Sequence, residues 1–267
     1  MLRLAKEFKS FKLRARDGDI GGAKEFYFDD QHWTVRYLVA DTGGWLSGRQ
    51  VLISPYALEP AIEADRVLPV DLTKNQIEES PSLASHEPVS RQYERQYYGY
   101  YNWPMYWSGP YLWGSSAHPP RQHGEIIWFG GMGISPLEPP AYPAHRAETG
   151  DPHLRSTHAV TGYQIHALDG EIGRVEDFII DDETWSIRYL VVDTKHWWAG
   201  KCVLVSPRWI ERVSWDESKV FVNLACEMVR HSPEYTPESL NRDYETSLHG
   251  HYGQQGYWVD DLVASTH

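Results

Sequence analysis

Paired acidic residues are the first groups in the sequence that could do chemistry. Asp29-Asp30 and Asp181-Asp182 each follow an apolar stretch, and their carboxylates could offer oxygens to a cation such as Ca²⁺. Neither pair continues into the Asp-x-Asp-x-Asp-Gly spacing of a calcium-binding loop. Because aspartate favours tight turns, we expect both pairs to be solvated turn residues.

The chain has 13 histidines, and two groups of them lie close together in the sequence. His249 and His251 are separated by one glycine, and His118 lies near His123. A structural zinc site needs four well-placed ligands, usually including thiolates. No pair of cysteines lies near either group, so we predict no bound metal and no other cofactor.

A glycine-rich run, Gly130-Gly-Met-Gly133, is the only one that resembles a phosphate loop. It lacks the spacing of a dinucleotide-binding loop and the lysine of a phosphate loop, so we predict a turn there. The sequence also lacks the Gly-x-Ser-x-Gly elbow and the His-Glu-x-x-His run of known hydrolases. We therefore predict no catalytic residues and a protein that is not an enzyme.

Two arginines, Arg36 and Arg188, lie in the middle of apolar stretches. Arginine is seldom fully buried unless it is paired. Asp41 and Asp193, each followed by threonine, end the same two stretches. We expect each arginine to pair with a carboxylate of its own unit, here Asp41 or Asp193, and these aspartates to cap turns.

These groups occur in pairs because part of the sequence is repeated. Residues 17–55 align with residues 169–207 without a gap at an offset of 152, and 20 of the 39 positions are identical. A repeat of this kind is typical of an internal duplication. The sequence therefore predicts two copies of one domain, each of about 80 residues.

Each copy has the pattern of an all-β domain. Stretches rich in β-branched and aromatic residues, such as the one that begins at Trp33, are separated by Asp-Gly and Ser-Pro pairs. About five or six short strands per copy predict a small β-barrel that is closed or nearly closed, which removes free sheet edges. Thr73 and Gln76 have the spacing of a capping box, which predicts one short helix.

The repeat divides the chain into four parts. We assign residues 1–81 to the first barrel, 82–152 to a connector, 153–237 to the second barrel and 238–267 to a C-terminal tail. The connector holds 10 of the 17 prolines and 8 of the 21 glycines, so its composition differs from that of the barrels. In the tail, residues 241–248 are predicted to form a short helix that docks on a barrel.

Composition limits the classes of function. Lys and Arg number 25 and Asp and Glu number 37, which gives a net charge of −12. A binder of duplex nucleic acid must neutralise phosphates, so this balance argues against that class. No run of about 18 apolar residues is present, and residues 1–8 lack the apolar core of a signal peptide, so we expect a cytoplasmic protein. Two cysteines, Cys202 and Cys226, exclude a disulfide framework.

Both copies carry the same order of motifs: Asp-Gly-x-Ile-Gly, Asp-Asp-x-x-Trp, Arg-Tyr-Leu-Val-x-Asp-Thr and Val-Leu-(Ile/Val)-Ser-Pro. This order resembles the PRC-barrel family, which is named for the cytoplasmic domain of the photosynthetic reaction-centre H subunit. The resemblance covers residues 1–81 and 153–237. It implies compact β-barrels and a role in protein–protein contact, without common catalytic residues. A similar barrel forms part of a ribosome maturation factor.

The connector contains an aromatic cluster that the alignment of the two copies does not repeat. Ten of the 21 residues from 93 to 113 are aromatic, whereas a flexible linker is polar. The cluster has three interpretations: it packs back on the barrels, it forms a self-association surface, or it stacks a carbohydrate or nucleotide. The predicted interaction residues are Tyr97, Tyr98, Tyr100, Tyr101, Trp103, Tyr106, Trp107, Tyr111 and Trp113.

Taken together, these patterns predict a bacterial cytoplasmic scaffold or adaptor that is not an enzyme. The sequence does not identify its protein partner, and the two barrels are expected to pair within the chain or in a homodimer. One alternative is a small-ligand binder with an aromatic pocket between the barrels, lined by Trp103, Trp107 and Trp113. A second alternative is an accessory factor in RNA or ribosome maturation that acts through protein contacts, without direct nucleic-acid binding.

Overall fold

The computed structural model describes residues 1–46, 49–84, 88–120, 153–194 and 200–259. These residues are mostly β, with two seven-stranded sheets and a few short helices. The strands are β1 (Leu2–Leu4), β2 (Lys12–Ala15), β3 (Gly18–Asp29), β4 (Thr34–Asp41), β5 (Arg49–Ile53), β6 (Val67–Pro69), β7 (Leu83–Ala84), β8 (Leu154–Ser156), β9 (Gln164–Ala167), β10 (Gly170–Asp181), β11 (Ile187–Asp193), β12 (Cys202–Val205), β13 (Ile210–Ser214) and β14 (Lys219–Val222). The helices are α1 (Ala5–Phe8), α2 (Lys74–Glu78), α3 (Arg91–Tyr100), α4 (Thr157–Val160), α5 (Cys226–Arg230) and α6 (Arg242–His251).

The two sheets have matching strand orders. The first sheet runs β6-β2-β3-β4-β5-β7, and the second runs β12-β11-β10-β9-β14-β13. Long central strands, β3 and β10, each pair antiparallel with the strand before and the strand after them, while β2–β6 and β9–β14 pair in parallel. Within the described ranges, no pairing joins the two ends of either strand order, so the barrel closure expected from the sequence is not found there.

The long strands bend at glycines that the neighbouring backbone approaches closely. Gly21 in β3 has a φ of 124°, and a Cβ added there would lie 1.9 Å from the carbonyl oxygen of Asp41. Gly173 in β10 has a φ of 157°, and its added Cβ would lie 2.4 Å from the carbonyl oxygen of Asp193. Residues with a side chain disfavour this backbone region. The glycine of each Ile-Gly pair is therefore required where the backbone of β4 or β11 approaches.

The two sheets exchange short strands. β1 begins the chain but pairs with β10 of the second sheet, and β8 pairs with β3 of the first sheet. The sheets also meet end to end, since the backbone N–H of Val35 donates to Trp185 at 2.8 Å and that of Ile187 donates to Trp33 at 2.7 Å. Each sheet therefore gains hydrogen bonds to backbone from the other half of the chain.

Aromatic residues fill the junction between the sheets. The ring centroids of Phe28 and Phe178 lie 6.0 Å apart, and the ring of Trp185 lies 5.7 Å from Phe8. Trp33 and Trp185 both adopt positive φ, at 51° and 60°, and both side chains are buried. Trp185 packs against rings of the first half of the chain, Trp33 packs on Phe28 of its own sheet, and the apolar core is continuous across the junction.

The helices are short and lie at the ends of the sheets. Thr73 accepts from the backbone N–H of Gln76, whose side chain accepts from the backbone of Thr73, so the predicted capping box is confirmed. The helix predicted at residues 241–248 is also confirmed, as α6, which starts one residue later and ends at His251. In the part of the chain that the structure describes, no helix has the length and apolar character needed to cross a membrane.

Candidate binding recesses at two arginine–aromatic stacks

The mid-strand arginine of the first sheet binds the turn aspartate. Nε of Arg36 donates to Oδ2 of Asp29 at 2.7 Å, Nη2 lies 2.7 Å from the same oxygen, and both residues are buried. The turn between β3 and β4 brings them together. Two expectations are therefore wrong: Asp29 is not a solvated turn residue, and the partner of Arg36 is Asp29 rather than Asp41. Asp41 instead accepts from the backbone N–H of Gly43 at 3.1 Å, as a turn cap.

Asp29 carries its charge in this buried position. Burial raises the pKa of its carboxyl group, but hydrogen bonds from His32 and the charge of Arg36 outweigh that effect, so the pKa lies below its usual value. The backbone N–H of His32 donates to Oδ1 of Asp29 at 2.6 Å, and Nδ1 of its ring lies 3.1 Å from the same oxygen. A buried charge of this kind is stable because it is paired and hydrogen-bonded.

The second sheet has the same ion pair 152 residues later. Arg188 donates from Nη2 to Oδ2 of Asp181 at 2.8 Å, and the hydroxyl of Thr184 donates to the same oxygen at 2.8 Å. Burial raises the pKa of Asp181, and the charge of Arg188 together with these hydrogen bonds brings it below the usual value. The predicted solvated turn and the predicted partner Asp193 are again both replaced by a buried pair.

The second aspartate of each pair holds the exchanged strand. Nε of Arg155 in β8 lies 3.0 Å from Oδ2 of Asp30, and Nε of Arg3 in β1 lies 2.7 Å from Oδ2 of Asp182. All four side chains are largely buried. Asp30 and Asp182 are therefore not solvated either, because each neutralises an arginine that arrives with the strand from the other half of the chain.

The start of the connector forms α3, which packs on the first sheet. The hydroxyl of Tyr97 donates to the carbonyl of Leu52 at 2.8 Å and accepts from the backbone N–H of Ser54 at 3.2 Å. The hydroxyl of Tyr98 lies 3.3 Å from Oγ of Ser54. Helix α3 thus covers β5 with aromatic rings whose polar ends are bonded to backbone or side chain.

The nine predicted interaction residues fall into three groups by exposure. Tyr97, Tyr98, Trp103, Tyr106 and Trp113 are buried, Tyr101 and Trp107 are half-buried, and Tyr100 and Tyr111 are exposed. Trp113 reaches the other half of the chain, where its Nε1 donates to the carbonyl of Thr184 at 2.9 Å. Most of the cluster therefore packs within the chain, and Trp103 and Trp113 do not line a pocket together with Trp107.

Two arginines and two aromatic rings alternate in a stack at the edge of the first sheet. The guanidinium of Arg36 lies 3.9 Å from the ring centre of Tyr106. The guanidinium of Arg91 lies 5.4 Å from the ring of Tyr106 and 4.1 Å from that of Trp107. We call this the first stack. Cation–π contacts of this kind fix the plane of each guanidinium.

A second stack has the same composition in the other half of the chain. Arg188 lies 3.9 Å from the ring of Tyr257, and Arg242 lies 5.4 Å from Tyr257 and 4.3 Å from Trp258. Arg242 begins α6 as Arg91 begins α3. The aromatic cluster of the connector therefore has a counterpart in the C-terminal tail, contrary to the expectation that it is not repeated.

The alignment misses this counterpart because the spacing changes by one residue. Helices α3 and α6 lie 151 residues apart, whereas the strands lie 152 residues apart. The signal is present in the sequence, since both helices begin with Arg-x-Tyr-Glu at Arg91 and Arg242. Both are followed at the same distance by Tyr-Trp, at Tyr106 and Tyr257. A search that allows one gap finds it.

A buried glutamate binds two members of the first stack. Glu94 accepts from the hydroxyl of Tyr106 at 2.9 Å and from that of Tyr37 at 3.3 Å. Its Oε2 lies 3.0 Å from Nη1 of Arg91 and 2.8 Å from Nε2 of His153. Burial beside this carboxylate raises the pKa of both tyrosines well above its ordinary value, so they remain hydrogen-bond donors.

Glu245 makes the equivalent contacts at the second stack. Its Oε1 accepts from the hydroxyl of Tyr189 at 2.9 Å, and its Oε2 lies 3.0 Å from Nη1 of Arg242. Nε2 of His249 lies 3.0 Å from the hydroxyl of Tyr189. Burial lowers the pKa of His249, so this imidazole favours its neutral form.

A recess opens beside each stack. The first recess is a cavity of about 220 Å³ beside Arg91 and Trp107, and His32 and His153 also line it. The second recess, beside Arg242, is a cavity of about 620 Å³. Its lining differs in charge, since Glu183 stands where the first recess has Gln31, and Thr184 stands where it has His32.

Other groups considered in the sequence do not assemble into a site. Across the described ranges, no three histidine, cysteine or carboxylate side chains are grouped so that they could hold a metal ion. His249 is buried in the core, and His251 bonds the carbonyl of Met228. The two cysteines form no disulfide and are half-buried. His123 and the turn predicted at residues 130–133 lie outside the described residues.

Comparison with family models and with curated proteins finds no relative of this chain. No family model matches the chain, and no curated protein matches it.

Proposed function

We propose that this protein is a non-enzymatic scaffold or adaptor of the PRC-barrel type, built by internal duplication, that acts in the cytoplasm through protein–protein contact. The observation that carries the proposal is a pair of equivalent corners, of which the second exposes Leu168 and Met228 and the first exposes Tyr100. One lies where α3 meets α2, and the other lies where α6 meets α5. Apolar groups that stay exposed together on a folded surface are typical of interaction sites.

The two corners are built alike. In the first, the hydroxyl of Tyr100 donates to the carbonyl of Gln76 at 3.0 Å, and the side chain of Tyr100 is 40% exposed. In the second, Nε2 of His251 lies 2.7 Å from the carbonyl oxygen of Met228. Met228 is 37% exposed, and Leu168, in the turn beside α5, is 64% exposed. Aromatic and methionine side chains are enriched in interfaces.

The duplication is supported by features of four kinds at matched spacing. These are the strand order, the buried Arg–Asp pairs, the exchanged strands with their arginines, and the two stacks. A nearly closed barrel in each half is supported by the long strands β3 and β10. β3 pairs with β2 before its bend at Gly21 and with β4 after it, as a strand that turns a barrel corner does.

The absence of catalysis is proposed on how the buried acidic groups are used. Asp29 and Asp181 each bind an arginine, and Glu94 and Glu245 each bind an arginine and a tyrosine. These carboxylates hold the fold together. In the described part of the chain, the exchanged strands join the two sheets within one chain, so we expect a monomer of 30.8 kDa by light scattering.

The test is affinity capture from extract of the native cell with full-length protein. We compare wild type with the double variant Leu168→Ser and Met228→Ser, and with Ile62→Ser as a control for an exposed apolar residue elsewhere. A specific partner should be captured by wild type and the control and lost from the double variant. Ribosomal proteins among the lost partners would favour the ribosome-maturation alternative. Equal capture by all three proteins would refute the proposed surface.

A further inference from the structure

Three of the basic side chains that line the first recess each contact a buried carboxylate and have a nitrogen left for a ligand. They are Arg91, His32 and His153. Glu94 holds Arg91 and His153, and Asp29 holds His32. Groups anchored in this way keep their positions when a ligand arrives, so little conformational freedom is lost on binding.

Arg91 presents one edge of its guanidinium to a ligand. Its Nη1 donates to the hydroxyl of Tyr106 at 3.0 Å and lies 3.0 Å from Oε2 of Glu94. Its plane is fixed against Trp107. Among the described residues, its Nε and Nη2 have no hydrogen-bond partner, and the side chain is 32% exposed. Nε and Nη2 are the two parallel donors with which arginine binds a planar carboxylate.

The two histidines line the rim, and an imidazole donates from both ring nitrogens only when it carries both protons. Nδ1 of His32 lies 3.1 Å from Asp29, and Nε2 of His153 lies 2.8 Å from Glu94. Each ring therefore has its second nitrogen left to bond a ligand. The His32 side chain is 58% exposed, so its replacement leaves the core intact.

Aromatic side chains and the size of the cavity set the kind of ligand. Trp107 and Tyr111 line the first recess beside the arginine edge. Its volume of about 220 Å³ exceeds the ~150 Å³ that holds a benzene molecule in an engineered protein cavity. An aromatic ring bearing one carboxylate matches both the volume and the apolar wall.

We propose that the first recess binds a small planar monocarboxylate, with the carboxylate on Nε and Nη2 of Arg91, beside His32, and its ring against Trp107. This function goes beyond the proposed interaction surface and uses none of its residues. It gives a chemical class to the small-ligand alternative and places it at one tryptophan, at the edge of the first sheet, instead of at three tryptophans between the barrels.

The second recess provides an internal control. Arg242 has the same ion pair and the same stack as Arg91, and each recess is lined by the aspartate of its buried pair, but Glu183 lines the second recess where the uncharged Gln31 lines the first. This additional carboxylate opposes the entry of an anion. The equivalent arginine substitutions should therefore cost similar stability in the two halves and differ in their effect on ligand binding.

The experiment titrates the full chain with benzoate at neutral pH and follows tryptophan fluorescence and calorimetry. Arg91→Met should weaken binding by about tenfold or more, because it removes a charge-assisted bidentate bond. His32→Ala, at an exposed position, should weaken it by about two- to tenfold with no loss of folding. Arg242→Met should leave the affinity unchanged.

Acetate and inorganic phosphate complete the comparison. Acetate should bind more weakly than benzoate, because it lacks the ring that packs on Trp107, and phosphate should bind more weakly because it is not planar. The proposal is overturned if benzoate shows no saturable binding up to about 20 mM, or if His32→Ala and Arg91→Met bind it as well as wild type. Loss of binding in Arg242→Met alone would also overturn it. None of these outcomes affects the capture experiment, so the two proposals can fail separately.

Discussion

Replacement of Asp177 by asparagine should stabilise the protein at alkaline pH and have little effect in acid. Asp177 lies in β10, is buried, and has its Oδ2 3.9 Å from Nζ of Lys6. Its Oδ1 accepts from the backbone N–H of Phe178 at 2.8 Å. Burial raises the pKa of this carboxyl group to about 6, against the partial compensation of that hydrogen bond and of Lys6.

The sign and size of the effect follow from linkage. The unfolded chain releases this proton near pH 4, and the folded chain near pH 6, so stability falls as the pH rises through that interval. A shift of about two units corresponds to about 3 kcal/mol of lost stability above pH 7. Asp177→Asn removes the buried charge and keeps an acceptor for Phe178, so the variant should gain up to about 3 kcal/mol at pH 8 and almost nothing at pH 4.

The assay is thermal or urea unfolding of both proteins at pH 4 and pH 8, followed by circular dichroism. A gain of 3 kcal/mol corresponds to an increase of about 6–12 °C in Tm for a chain of this size. Glu176→Gln is the matched control, because this neighbouring carboxylate faces the same Lys6 at 3.9 Å but is exposed. It should change stability by less than about 0.5 kcal/mol. A stability difference for Asp177→Asn that is the same at both pH values would contradict the assignment of a buried, destabilising charge.

Three further substitutions test the core and the junction by unfolding measurements. Gly21→Ala should destabilise the protein by more than about 3 kcal/mol, while Gly22→Ala, whose added methyl meets only ordinary contacts, should cost about 1 kcal/mol or less; equal costs would refute the close approach. Trp113→Ala should cost about 3–5 kcal/mol, and Tyr111→Ala, at an exposed position of the same segment, less than about 1 kcal/mol; a small loss for Trp113→Ala would show that it is not core. Arg155→Ala removes the ion pair that holds β8 and should cost about 2 kcal/mol; an unchanged midpoint would show that the exchanged strand is held by its backbone alone.

The strands could be predicted because their signals are local and occur twice. Alternating apolar residues, Asp-Gly turns and the 152-residue offset each depend on neighbouring residues, and a repeat averages out chance. The short helix after Thr73 was predictable for the same reason, since a capping box spans four residues.

The buried ion pairs were not predictable from spacing alone. Asp29 has the sequence context of a solvated turn. Only the pairing of β3 with β4 shows that Arg36 binds Asp29 rather than Asp41. The exchanged strands were missed because β1 and β8 are three residues long and carry an arginine in the middle. Such segments have too few apolar residues to indicate a strand, and only their partners in the other half of the chain order them.

The second stack was missed for a different reason. A rigid 152-residue offset aligns Glu94 with Thr246, although its counterpart is Glu245. The exposure of side chains in the aromatic connector could not be predicted from the sequence either. The different burial of Trp107 and Trp113 depends on tertiary contacts. The candidate site therefore depends on tertiary contacts, while its residue types were visible in the sequence.

The exchange of β1 and β8 has a consequence for biosynthesis. β8 pairs with residues 27–29 of β3, but β8 itself begins only at Leu154. At about 5–20 residues per second, the ribosome needs roughly 6–25 s to make the intervening chain. Throughout that interval the nascent first sheet exposes an unpaired edge, which favours aggregation. The protein should therefore depend on chaperones that bind nascent chains, and slower translation should lower its soluble yield.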